Sequence, residues 1–196
     1  IVELVATTMR RDPTAFTNPA WQVWLLNSKS LALGQLGRWD DSLETMRLAS
    51  TLAEENEVNV SQTINLAEMH CARGNGAQAL VVLTSVGDMS EYGEMALQSV
   101  LHCARRLQGD RAGADQAMAY LEEHQSLSTA LYLAALLRED RMDAAAKALV
   151  AALASEQERA TVLVMVQDYL QARLLPTEET SNARWEALMQ REDVRA

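Results

Sequence analysis

The chain has 196 residues, 48% hydrophobic and 22% charged, a balance that excludes a disordered or collagenous chain and leaves room for a real core. Lys and Arg number 17 against 27 Asp and Glu, a net charge of −10, which argues against a phosphate-reading basic face and against an anionic membrane surface. Only Pro13, Pro19 and Pro176 interrupt a chain rich in alanine and leucine, with aromatics at 5%, so helices are expected almost throughout.

In chain order, residues 1–19 are expected to form a partial N-terminal repeat helix and a connector. Val2, Val5 and Met9 share one face of that helix, which stops before Asp12-Pro13. Because the chain starts at Ile1 without a methionine, a processed protein or an excised fragment is expected. Residues 20–155 carry four copies of one pattern: an apolar helix, a short polar break, and a second helix with small residues on one face. The breaks begin at Gly37, Gly74, Gly109 and Asp140, spaced 37, 35 and 31 residues. A two-helix unit of that length cannot bury its own apolar face and must stack on its neighbours. Glycine at a break supplies a left-handed cap, and Asp40, Asp41, Asp110 and Asp143 fall where the next helix begins and suit its N-terminal dipole. Residues 156–174 are expected to form a capping helix, with Val162, Met165, Val166, Tyr169 and Leu170 facing inward. Residues 175–196 are expected to be a linker followed by a short helix from about Asn182 to Met189, carrying Trp185 and Leu188.

These motifs resemble the tetratricopeptide repeat family. Ser30 and Ala67 match the family's small position in the first helix. Gly37, Gly74 and Gly109 match the break glycine, Trp39 the aromatic after it, and Ser42, Ala79, Ala114 and Ala145 the central alanine. The third and fourth units depart from the pattern with His102 and Leu133 at the small first-helix position, and the fourth has Asp140 for the glycine. The resemblance implies an all-α fold of about eleven helices, a right-handed α-solenoid of helix-turn-helix repeats. It also implies a non-catalytic scaffold that binds a peptide or protein segment through its concave groove or its end helices. The alternative is a regulatory or sensor module of a larger bacterial signalling or transcription protein.

Candidate groove residues are Asn27, Asn65, Arg73, Arg106 and Arg138. On the resemblance, Asn65 falls at the family's groove asparagine, and the three arginines offer a basic ladder to an acidic ligand. The same arginines, near helix C-termini, also suit the helix dipole without any ligand. Trp185 is a candidate docking anchor if it does not fold back on the cap. Trp21 and Trp24 share one face and are expected to pack on the N-terminal helix.

The paired His70-Cys71 and His102-Cys103 invite a zinc reading. However, neighbouring side chains on a helix diverge by about 100°, and equivalent points on packed helices lie roughly 8–10 Å apart. The two copies are also three residues out of phase against their breaks, so buried free thiols are expected and no metal. Two cysteines are too few for a disulfide scaffold, and no apolar run is long enough for a membrane span. No P-loop, nucleophile elbow, HExxH or dinucleotide-binding motif is present. No enzyme activity, catalytic residue or cofactor is expected. The expected partner is a protein or peptide, with no nucleic acid and no membrane insertion, and with self-association open. The cytoplasm is the expected compartment, the periplasm the alternative.

Overall fold

The computed structural model describes residues 4, 7, 8, 11, 12, 19–52, 59–167 and 174–195. The expected N-terminal face residues Val2, Val5 and Met9, and Tyr169 and Leu170 of the capping helix, lie outside the described residues. The described chain is all-α, with one 3-10 turn and no strand. Four helical hairpins follow one another: α1 (Pro19–Gln35) with α2 (Trp39–Ser50), α3 (Val60–Ala72) with α4 (Gly76–Leu83), α5 (Glu91–Leu107) with α6 (Arg111–Glu123), and α7 (Thr129–Arg138) with α8 (Met142–Ala154). Then come α9 (Arg159–Met165), α10 (Pro176–Met189) and α11 (Glu192–Arg195).

One turn is used four times. At Gly37, Gly74, Gly109 and Asp140 the residue's own N–H bonds back three residues and the next N–H bonds back five. The pairs are Gly37 to Gly34 and Arg38 to Leu33, Gly74 to Cys71 and Asn75 to His70, Gly109 to Arg106 and Asp110 to Arg105, and Asp140 to Leu137 and Arg141 to Leu136. This double bond to the last turn is the Schellman C-cap, which needs a left-handed residue. The φ angles are 74°, 79° and 75° for the three glycines and 61° for Asp140. The fourth break, which the sequence marks as deviant, therefore makes the same turn with a costlier residue.

The register inside each hairpin follows from that turn. Seven residues before it stand Ser30, Ala67, His102 and Leu133; five residues after it stand Ser42, Ala79, Ala114 and Ala145. None of these eight is more than 2% exposed. Small residues there let the two helices approach. In the first hairpin, Ser30 Oγ donates to the Ser42 carbonyl at 2.7 Å and Ser42 Oγ to the Ser30 carbonyl at 2.6 Å, so two buried hydroxyls are satisfied where alanine would suffice.

Successive hairpins join through specific contacts. Asn59 caps α3, its Oδ1 accepting from the Gln62 N–H at 3.1 Å. Its Nδ2 donates to the carbonyls of Ala49 and Leu52, fastening the end of α2 to the start of α3. A Cβ added at Gly76 would stand 2.7 Å from both the Ala104 carbonyl oxygen and Leu107 Cβ, so glycine is what admits α5 against α4. Three apolar clusters result, and the largest gathers residues of α5 to α10 around Leu133, Leu136 and Leu149.

The C-terminal region differs from expectation. The α9 helix is short, with Val162 buried and Met165 and Val166 packed on the large cluster. The segment read as a linker is helix, because Pro176 opens α10 at its first turn and Glu178 accepts from the Leu175 N–H at 2.7 Å, closing the helix start. Trp21 and Trp24 are 69% and 45% exposed, not covered as expected. Together with Leu25 and Leu31 they leave an apolar stripe along α1, continued by Leu36 in the turn that follows. Among the described residues, no helix is long and apolar enough to cross a membrane.

Candidate functional site

The first helices of the hairpins, α1, α3, α5 and α7, contribute to one face, and α10 lies across it. The helix α10 packs on α3 in the second hairpin and on both helices of the fourth. Between it and the face is a cavity of about 800 Å³, lined by residues of α1, α2, α3, α5, α7 and α9 and by the inner side of α10. Its walls are mainly apolar, with Leu31, Met69, Val100, Leu133, Leu137 and Met165 among them. Glu68, Arg138 and the two cysteines are among its polar and reactive groups.

The seat of α10 is built from helix ends. Carbonyls in the last turn of a helix lack intrahelical partners and carry the negative end of its dipole, so they attract hydroxyls and guanidinium groups. Thr177 Oγ1 donates to the carbonyls of Ala72 at 2.9 Å and Cys71 at 3.3 Å, where α3 ends. Two turns on, Arg184 Nη1 donates to the carbonyls of Leu137 at 2.7 Å and Arg138 at 3.0 Å, where α7 ends, while its Nε lies 3.2 Å from Asp140. One turn further, Leu188 is fully buried in the large cluster. Arg191, just beyond α10, reaches Asp143 at 2.8 Å. One helix thus reads the ends of two hairpins that are not neighbours.

The residues singled out from sequence are placed as follows. Asn65 Nδ2 donates to Asn27 Oδ1 at 2.9 Å, so the two amides join α3 to α1. Arg73 pairs with Asp40 at 2.7 Å and Arg106 with Glu139 at 3.2 Å. Arg138 faces the cavity and reaches Ser99 Oγ at 3.3 Å. Two of the three arginines are thus matched by carboxylates of this chain. Trp185 is half-buried against the large cluster and the cavity, folded back with α10. The sequence reading missed Thr177 and Arg184 and took Asp140 only as a break residue. The available signal was a proline with glutamate two residues later, a helix start inside a supposed linker.

Two titratable clusters have buried members, and the second lines the cavity. His102 is completely buried where the other hairpins carry Ser, Ala or Leu, and its Nε2 lies 3.0 Å from Glu139 Oε1. That bond requires the proton on Nε2, leaving Nδ1 without a partner. Burial lowers the affinity of His102 for a second proton, and Arg138 adds to this, against the pull of Glu139. The second cluster is Cys71 and Cys103, both free and buried, as expected. Their offset of three residues, read from sequence as separation, is close to one helical turn. It puts the two thiols on one side, in one apolar cluster and on the wall of the cavity, with Cys71 Sγ 3.7 Å from the Val100 carbonyl. Among the described residues, no group of three or more His, Cys, Asp and Glu side chains could hold a metal ion. Comparison with protein families, curated proteins and solved structures finds no match to the chain.

Proposed function

We propose that this protein is a non-catalytic interaction scaffold, a right-handed solenoid of tetratricopeptide-like hairpins. In this reading the face formed by α1, α3, α5 and α7 is its groove, and the groove accepts an amphipathic helix. The observation that carries the reading is the seat of α10 on that face. What the seat selects is donors: a hydroxyl on one helix end, a guanidinium on another two turns away, and an apolar anchor one turn beyond. A partner helix able to replace α10 would carry the same spacing of hydroxyl, guanidinium and apolar anchor. The basic ladder for an acidic ligand is the weaker reading, because Arg73 and Arg106 already face Asp40 and Glu139.

The test uses a fluorescent peptide of residues 174–195 added to the full chain. In the native chain α10 competes with it. Arg184→Ala removes charged hydrogen bonds worth about 1.5–3 kcal/mol and so raises the open fraction tenfold or more. The peptide is expected to bind Arg184→Ala at least tenfold more tightly than the native chain, by anisotropy. Equal or undetectable binding to both chains would remove the proposal.

A further inference from the structure

We propose that Cys71 and Cys103 form a thiol–disulfide exchange site whose co-substrate is a low-molecular-weight disulfide admitted through the cavity beneath α10. The two thiols sit on α3 and α5, helices that pack directly on each other, and both line that cavity. They are 2% and 6% exposed, shielded from bulk solvent and reached from the cavity side. Both belong to one apolar cluster, and the Cys71 thiol donates to the Val100 carbonyl at 3.7 Å, one turn before Cys103 on the same helix. Helix axes roughly 8–10 Å apart, each with Cα atoms about 2.3 Å off its axis, bring facing Cα atoms within the roughly 4.4–6.8 Å a disulfide spans. The site is independent of what the face above it binds.

The surroundings divide the work between the two sulfurs. The neighbouring Cys71 thiol brings the Cys103 thiol down to about 7, and the guanidinium groups of Arg138 and Arg106 act in the same direction against burial and Glu68. The nearness of Cys103, with burial, pushes Cys71 up. At neutral pH Cys103 is therefore the attacking thiolate and Cys71 the thiol that keeps its proton. Cys103 attacks one sulfur of the small disulfide RSSR. The S–S bond breaks, a Cys103–S–S–R bond forms, and RS⁻ leaves with the electron pair and takes up a proton. Cys71 then releases its proton to solvent and attacks the Cys103 sulfur. The mixed disulfide breaks, and the second RS⁻ leaves and is protonated. Two cysteine thiols are oxidised by two electrons, one RSSR becomes two RSH, and the protons lost by the cysteines equal those gained. The product ties α3 to α5.

The experiment treats the full-length chain with bis(2-hydroxyethyl) disulfide and follows intact mass and proteolytic fragments. The native chain is expected to lose two hydrogens and yield one fragment joining the Cys71 and Cys103 peptides. Its rate should rise with pH to half its maximum near the point where Cys103 ionises. Cys71→Ala should stop at a stable adduct on Cys103, and Cys103→Ala should react at least tenfold more slowly. A native chain that stays reduced, that carries adducts on both cysteines without a link, or that loses reactivity equally with either substitution overturns the proposal. The native-chain mass result decides the matter even if a variant fails to fold.

Discussion

At the scale of the residue, two positions hold a side chain that its equivalents in the other hairpins avoid. Asp140 adopts the left-handed conformation that three glycines hold at the other breaks. For a residue with a Cβ that conformation costs about 1–2 kcal/mol, less for Asp, whose carboxylate bonds locally. Against this, Asp140 gains a partly exposed ion pair with Arg184, of the kind worth about 1 kcal/mol or less. Asp140→Gly is therefore expected to stabilise the Arg184→Ala chain by up to about 1 kcal/mol in urea unfolding, and the native chain by less. Equal gains in the two backgrounds would mean that the Asp140–Arg184 pair contributes nothing. His102 is the second such position. Its proton affinity is lowered in the fold, so the unfolded chain takes up the proton first as pH falls. Its contribution to stability is full above the unfolded value of about 6.5 and is lost as pH drops from there through the folded value. His102→Gln should flatten the fall in stability between pH 7 and 5 by up to about 1 kcal/mol. A slope remains, because His70 is lowered by burial in the same sense. An unchanged pH profile would show that His102 does not titrate differently in the two states.

At the scale of the element, the four hairpins were legible because each is local. A break residue, a small residue seven before it and another five after it lie within one stretch of chain, and the Schellman turn links them. Even His102 and Leu133 could be placed in register before their burial was known. The α10 helix was not legible, because its reason for forming is distant. Pro176, Thr177 and the acidic pair Glu178-Glu179 read as polar and loop-like in sequence. Only the carbonyls at the ends of α3 and α7, more than 40 residues away along the chain, turn Thr177 and Arg184 into anchors. The cysteine pair failed to register for a related reason. Alignment on the breaks measures position within a unit, whereas contact depends on which faces of α3 and α5 meet. The Asn27–Asn65 pair lies between these cases: both amides were singled out for the right face, but they bond each other across α1 and α3.

At the scale of the whole molecule, α10 changes how the hairpins depend on one another. A stack held only by nearest-neighbour contacts can fray from its ends, one unit at a time. Here α10 fastens the second hairpin to the fourth, and Leu188 drives its fully buried side chain into the largest cluster. Opening the second or the fourth hairpin must then release α10 and expose the cavity face, so the stack should lose its helices together. The tryptophans report on this directly: Trp21, Trp24 and Trp39 belong to the first hairpin and Trp185 to α10, whereas circular dichroism averages every helix. In the native chain, fluorescence and dichroism should give one coincident urea transition. Leu188→Ala should cost about 2–5 kcal/mol by emptying a fully buried site. Because the lost contact is the one that joins distant hairpins, the two probes should also separate, with dichroism falling first as α7 and α8 open and first-hairpin fluorescence following. Trp185→Phe in both chains isolates the first-hairpin signal. Coincident transitions in Leu188→Ala would mean that neighbouring hairpins alone carry the cooperativity and that α10 only covers the face.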